Sequence, residues 1–148
     1  MKNICLYFQI HQPFRLKRYR FFDIGTDHYY YDDFLNEENI KRLAANSYLP
    51  ANQTILEMIR SSNGKFKCTY SISGVALEQL EQFAPEVIDS FKELAATGSV
   101  EFLAESYAHS LSSVFDANEF ELQVNRHAKK IEELFGKKPT AIRNSELI

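Results

Sequence analysis

Four short apolar runs, Asn3 to His11, Phe66 to Ile72, Ser99 to Ala104 and Thr140 to Arg143, are separated from one another by segments of helical periodicity or by turn-rich loops leading into them. Strands joined through helices cannot pair as tight hairpins; they lie parallel, with the helices crossing over the sheet. The alternation therefore predicts an α/β fold with about four parallel strands and crossover helices. An eight-stranded barrel built this way takes about 250 residues, so 148 residues make either a four-stranded open sheet or part of a barrel.

Within the first run, Ile4, Cys5, Leu6, Tyr7, Phe8 and Ile10 are nearly continuous, the pattern of a parallel strand covered on both faces. Pro13 ends it. The loop from Phe14 to about Asp33 holds Phe14, Tyr19, Phe21, Phe22, Tyr29, Tyr30 and Tyr31. It is too aromatic for disorder and is expected to pack as a cover. Helices are expected at about Glu37 to Ser47 and Leu49 to Ser62, with Asn63-Gly64 as the stop. Ser73 is the expected cap of a helix with Val75, Leu77, Leu80 and Phe83 inward. Pro85 to Ala96 forms the next, closed by Gly98. Asp116, with Glu119 at capping-box spacing, opens a long helix to Phe135, and Gly136 ends it.

With 45% hydrophobic and 14% aromatic residues the chain can bury a core as one globular domain. A formal net charge of −3 gives no field that draws nucleic acid or anionic membrane. The basic run Arg15, Lys17, Arg18 and Arg20 is offset by Asp23, Asp27, Asp32 and Asp33. No signal peptide is visible, and no apolar run nears the roughly 18 residues that span a bilayer. Cys5 and Cys68 are expected to be buried, reduced thiols of a cytoplasmic protein.

In parallel α/β sheets ligands gather at the carboxyl ends of the strands. There the first run offers Gln9, His11 and Gln12; the third carries Glu101 and leads to Glu105, Tyr107 and His109; the fourth leads to Arg143, Asn144 and Glu146. Buried carboxylates and imidazoles are costly unless paired, so their convergence marks a site. Each has a plainer reading: His11 as a satisfied core histidine, Glu101 as the partner of a nearby cation, His109 as a helix-edge residue. His11, His109 and a carboxylate could also ligate a metal, although no pair has close ligand spacing. No Gly-rich phosphate loop, Cys-x-x-Cys, His-Glu-x-x-His or Gly-x-Ser-x-Gly is present.

Three segments, Tyr7 to Pro13, Gly98 to Phe102 running on to Tyr107 to Leu111, and Arg143 to Ile148, together resemble glycoside hydrolase family 57, the α-amylase and 4-α-glucanotransferase family. Two positions differ: Gln9 stands where many members carry His, and Ala108 where an aromatic is common. The resemblance implies the N-terminal part of a parallel (β/α)7 barrel, a single partial catalytic domain over residues 1–148 with its C-terminal remainder missing. It implies a retaining glycosidase acting on α-linked glucans. Glu146 falls on the nucleophile's position, the acid/base Asp belongs to a later motif, and the 148 residues alone are expected to be inactive. His11, Glu101 and His109 would hold sugar hydroxyls, with no metal or organic cofactor needed. A non-catalytic glucan-binding relative, transfer rather than hydrolysis, and a metal-dependent deacetylase or mannosidase-like relative are the alternatives.

Overall fold

The computed structural model describes residues 4–146. Asn3, the expected start of the first strand, and Leu147 and Ile148, the apolar neighbours of Glu146, lie outside the described residues. The sheet has strand order β1-β2-β3, with β1 at Tyr7–Ile10, β2 at Cys68–Ile72 and β3 at Val100–Phe102, all parallel. The expected fourth strand takes its place beside β3 as a single parallel bridge, Ala104 to Ile142. Ala104 donates to Ala141 O at 3.0 Å and Arg143 donates to Ala104 O at 2.9 Å.

Register sorts the side chains. Phe8, Tyr70 and Phe102 form one row across the sheet, facing the helices. Their rings meet Phe91 and Phe135, with Phe102 stacked on Phe135 at 4.2 Å and Tyr70 edge-on to Phe91 at 5.3 Å. Side chains alternate faces along a strand, so Gln9 with Ser71, and Thr69 with Glu101, share the opposite face. β1 is not covered on both faces as its apolar run predicts: Ile4, Leu6 and Phe8 are exposed. Among the described residues it lies at the sheet edge and pairs with β2 alone.

Helix α1, Asp33–Leu43, begins four residues earlier than expected, because Asp32 caps it by accepting from the Leu35 amide at 3.0 Å. It runs on through a π-helical turn, Ala44–Tyr48, into α2, Leu49–Ser61. The expected break is thus a widened turn ahead of Pro50, which has no amide hydrogen to return to the ladder. α3 spans Gly74–Phe83, α4 Pro85–Ala96, α5 Ser112–Phe115 and α6 Ala117–Phe135. Ser73 caps α3 as expected, and Asp116 caps α6 by accepting from the amides of Asn118 and Glu119. The Glu119 side chain accepts from Gln123 instead, at 2.7 Å. Gly136, at φ 75°, ends α6 in the left-handed conformation that glycine enters without strain.

The core lies between β2 and helices α2, α3 and α4, around Ile72, Leu77, Leu80, Phe91 and Leu94. The aromatic loop is ordered but does not cover it. Phe14 with Tyr31, and Tyr19 with Tyr30, pair ring against ring, Lys17 pairs with Asp27, and Phe21 and Phe22 are 80% and 86% exposed. Cys68 is buried, and burial pushes its thiol up to about 11, whereas Cys5 is exposed, contrary to expectation, on the open edge strand's approach. No described helix is long and apolar enough to cross a membrane.

Candidate functional site

Just past the end of β1, His11 Nδ1 stands 2.8 Å from Ser73 Oγ, the hydroxyl that also caps α3. The first turn of a helix and the end of a strand are thereby locked to one side chain. His11 stacks on His109 with ring centroids 4.1 Å apart and planes at 16°. Burial lowers the proton affinity of His11, the neighbouring His109 lowers it further, and Glu146 opposes both.

His109 sits in a turn at φ 55°, a left-handed conformation that is uncommon outside glycine and is stabilised here by its surroundings. Its amide donates to Ser106 O at 3.0 Å, and the Ser110 amide donates to Ser106 Oγ at 2.9 Å. Ser106 Oγ is 2.6 Å from Ser145 Oγ, both residues being buried. This hydroxyl pair ties the loop after β3 to the loop after the fourth segment, and brings His109 Nε2 to 3.2 Å from Glu146 Oε1. The Glu146 side chain is 59% exposed, open to a ligand from one side.

Beneath these rings the wall is polar and buried. Glu105 is fully buried, with Oε2 3.5 Å from His109 Nδ1. Burial raises its carboxyl above the usual range, while His109, Ser71 and Arg143 pull it back. His127, from α6, is also fully buried. Its Nε2 bonds Ile72 O at 2.7 Å, and the Glu105 amide donates to its Nδ1 at 3.3 Å. A carbonyl accepts and an amide donates, so His127 is neutral with its hydrogen on Nε2. Burial lowers its proton affinity accordingly. Arg143 lies over the Tyr7 ring at 4.6 Å and donates to Gln9 Oε1 at 3.0 Å.

Of the four residues expected to form the site, the fold brings His11, His109 and Glu146 together and leaves Glu101 apart. Glu101 is level with Thr69 and Tyr7, near the starts of β2 and β1, about 13 Å of extended chain short of residue 105. It is exposed and accepts from Thr140 Oγ1 at 2.7 Å. It lines a cavity of about 450 Å³ with Lys67, Lys137 and Lys138, at the opposite end of the sheet from the histidines. Neither Ser73 nor His127 is marked by sequence as part of the site. The signal for Ser73 reads as a helix cap, and that for His127 as an amphipathic helix position. Among the described residues no group of three His, Cys, Asp or Glu side chains is placed to hold a metal ion.

The family model described as Glycosyl hydrolase family 57 matches residues 5–148. A protein of Methanocaldococcus jannaschii named "Putative alpha-amylase" is 41% identical over 151 residues, covering 98% of this chain and 31% of its own length. The chain thus spans about a third of that curated relative. The crystal structure of 4-alpha-glucanotransferase from Thermococcus litoralis superposes with a TM-score of 0.67 at 17% identity, over 93% of this chain and 18% of that one. A branching enzyme of Thermococcus kodakaraensis gives 0.61 at 16% identity, over 96% of this chain and 33% of that one. At such identities these two structures bear on the fold alone, that of part of a parallel β/α barrel.

Proposed function

The chain belongs to glycosyl hydrolase family 57, and on that premise we propose that it carries the nucleophile half of a retaining, α-amylase-like site for α-linked glucans. The observation that carries the reading is the contact of His109 Nε2 with Glu146 Oε1 at 3.2 Å, with His11 stacked behind the ring. Three strand-end segments distant in sequence supply it, which a structural ion pair on the surface would not require.

In this mechanism Glu146 attacks the anomeric carbon, the glycosidic bond breaks, and a covalent glycosyl-enzyme forms. A second carboxyl group, about 5–5.5 Å from the first, protonates the departing oxygen and later takes a proton from water or from an acceptor sugar. We assign that group to residues outside these 148, in the rest of a longer barrel. His109 holds the nucleophile's oxygen, and His11 presents its other nitrogen to sugar hydroxyls. Glu101, set at the far end of the sheet, is left to a structural or remote role. The unpaired Cys5 and Cys68 fit a cytoplasmic location.

The test is α-glucan cleavage by the complete barrel with Glu146→Gln. Cleavage surviving within about tenfold of wild type overturns the assignment. A 5-fluoroglycosyl fluoride, whose fluoride leaves without acid help and whose glycosyl-enzyme turns over slowly, should label Glu146 of the unmutated barrel, detected by peptide mass. Turnover by residues 1–148 alone would contradict the assignment of the second carboxyl to residues beyond them.

A further inference from the structure

Behind His109 lies a carboxyl that the proposed chemistry leaves without a task. Glu105 is fully buried, and neither its two oxygens nor Nδ1 of His109 has a hydrogen-bond partner. A buried carboxyl left unpaired is costly. The two orphaned groups face each other at 3.5 Å, and hydrogen bonds in ligand-free sites are often long and tighten when substrate binds. The other nitrogen of the same ring is the one that meets Glu146, at 3.2 Å. The Glu105 backbone is anchored by its amide's bond to His127 Nδ1, so the carboxyl is held where it is.

We infer that Glu105 is a positioning residue that shares one proton with His109 Nδ1, so that Nε2 always keeps its hydrogen and donates it to Glu146. The inference rests on the reading of Glu146 as nucleophile. A proton count carries it. With the shared proton on Glu105, the carboxyl O–H donates to a bare Nδ1 and the ring is the neutral Nε2–H tautomer. With the proton on the ring, the imidazolium donates from Nδ1 to Glu105 and from Nε2 to Glu146. The remaining arrangement, a neutral ring protonated on Nδ1, would set lone pair against lone pair at Glu146.

The surroundings favour sharing over either extreme. Burial drives Glu105 toward its protonated form, whereas His109, Ser71 and Arg143 favour the carboxylate. Tyr7, which also faces this pocket, is itself held protonated by burial. A hydrogen fixed on one oxygen of Glu146 leaves the other to approach the anomeric carbon in a single orientation. That is a geometric gain realised in the reaction more than in binding.

The test reads the ring-nitrogen chemical shifts of His109 near neutral pH in the protein and in its Glu105→Leu and Glu105→Gln variants. It also reads kcat and KM on malto-oligosaccharides in the complete barrel. A glutamine amide can donate to Nδ1 as protonated Glu105 does, and leucine cannot. Glu105→Leu should move the His109 Nδ1 resonance to that of a nitrogen with no hydrogen-bond partner and lower kcat about 100-fold with KM within about threefold, while Glu105→Gln keeps Nδ1 near its wild-type position and stays within about fivefold of wild type. An Nδ1 resonance unmoved in Glu105→Leu, or moved in Glu105→Gln to that of a nitrogen with no hydrogen-bond partner, overturns the inference. The isosteric Glu105→Gln decides alone if the leucine variant does not fold. Because the ring pattern needs no turnover, cleavage that survives Glu146→Gln while His109 still follows Glu105 would sink the nucleophile reading and not this one.

Discussion

The stretch from Glu101 to Glu105 carries two carboxyls whose surroundings are opposite, and the two ends of the sheet differ in the same way. Glu101 is solvent-exposed, tied to Thr140 and bordered by lysines along a cavity of about 450 Å³. Glu105 is fully buried beneath His109, whose ring is stacked on that of His11. Concavity usually marks a binding site, yet this hollow is at the end without the histidines. What singles out the other end is titratable groups packed close enough to alter one another's protonation, which structural surfaces seldom need. Four residues along one segment thus separate a surface carboxylate from a buried one.

The contrast would break first at Glu146. Its replacement by Gln should lower α-glucan cleavage by the complete barrel about a thousandfold or more, and a loss no greater than that of a Glu101 variant would erase the distinction between the two ends. His109→Ala should come next, with kcat down about 100-fold, measured on the same substrate. His127→Leu acts on stability: it leaves the Glu105 amide and the Ile72 carbonyl without their partner, and should cost about 2–3 kcal/mol in urea unfolding.

Acid should act on the buried end of the sheet first. His127 has its proton affinity lowered in the fold from the ordinary value of 6.5, so the unfolded chain binds a proton that the folded one refuses. Its contribution is in place above pH 6.5 and is lost as pH falls below that value. The melting temperature should therefore drop between pH 7.5 and 5.5, with a shallower drop in His127→Gln. Glu101→Gln should have the smallest effect, leaving activity within about threefold and the melting temperature within about 2 °C, as for surface changes away from buried networks.

Much of the architecture was legible from local patterns. Parallel sense follows from strands joined through helices, and the caps at Ser73 and Asp116 and the stop at Gly136 depend on partners within a few residues, so periodicity and capping chemistry carry them. The start of α1 is ambiguous in sequence because Asp32-Asp33 fits both the end of an acidic loop and the helix cap that it forms. The exposure of β1 was not legible: an apolar run has the same composition at a sheet edge as in its middle. At the site, His11, His109 and Glu146 were visible as strand-end residues, but Ser73 and His127 were hidden behind structural duties that their sequence signals describe equally well.

By itself the sequence determined a parallel α/β chain and three segments whose motifs tie it to its family. Only the tertiary structure decided that Glu101 stands apart and Glu105 lies beneath His109. It also decided that the Ser106 and Ser145 hydroxyls, at 2.6 Å, close two loops into one site. The reason is that capping and periodicity act over one helical turn. Convergence of strand ends is set by the crossovers that stack distant segments in register, and no local pattern encodes which carboxyl that stacking will bury.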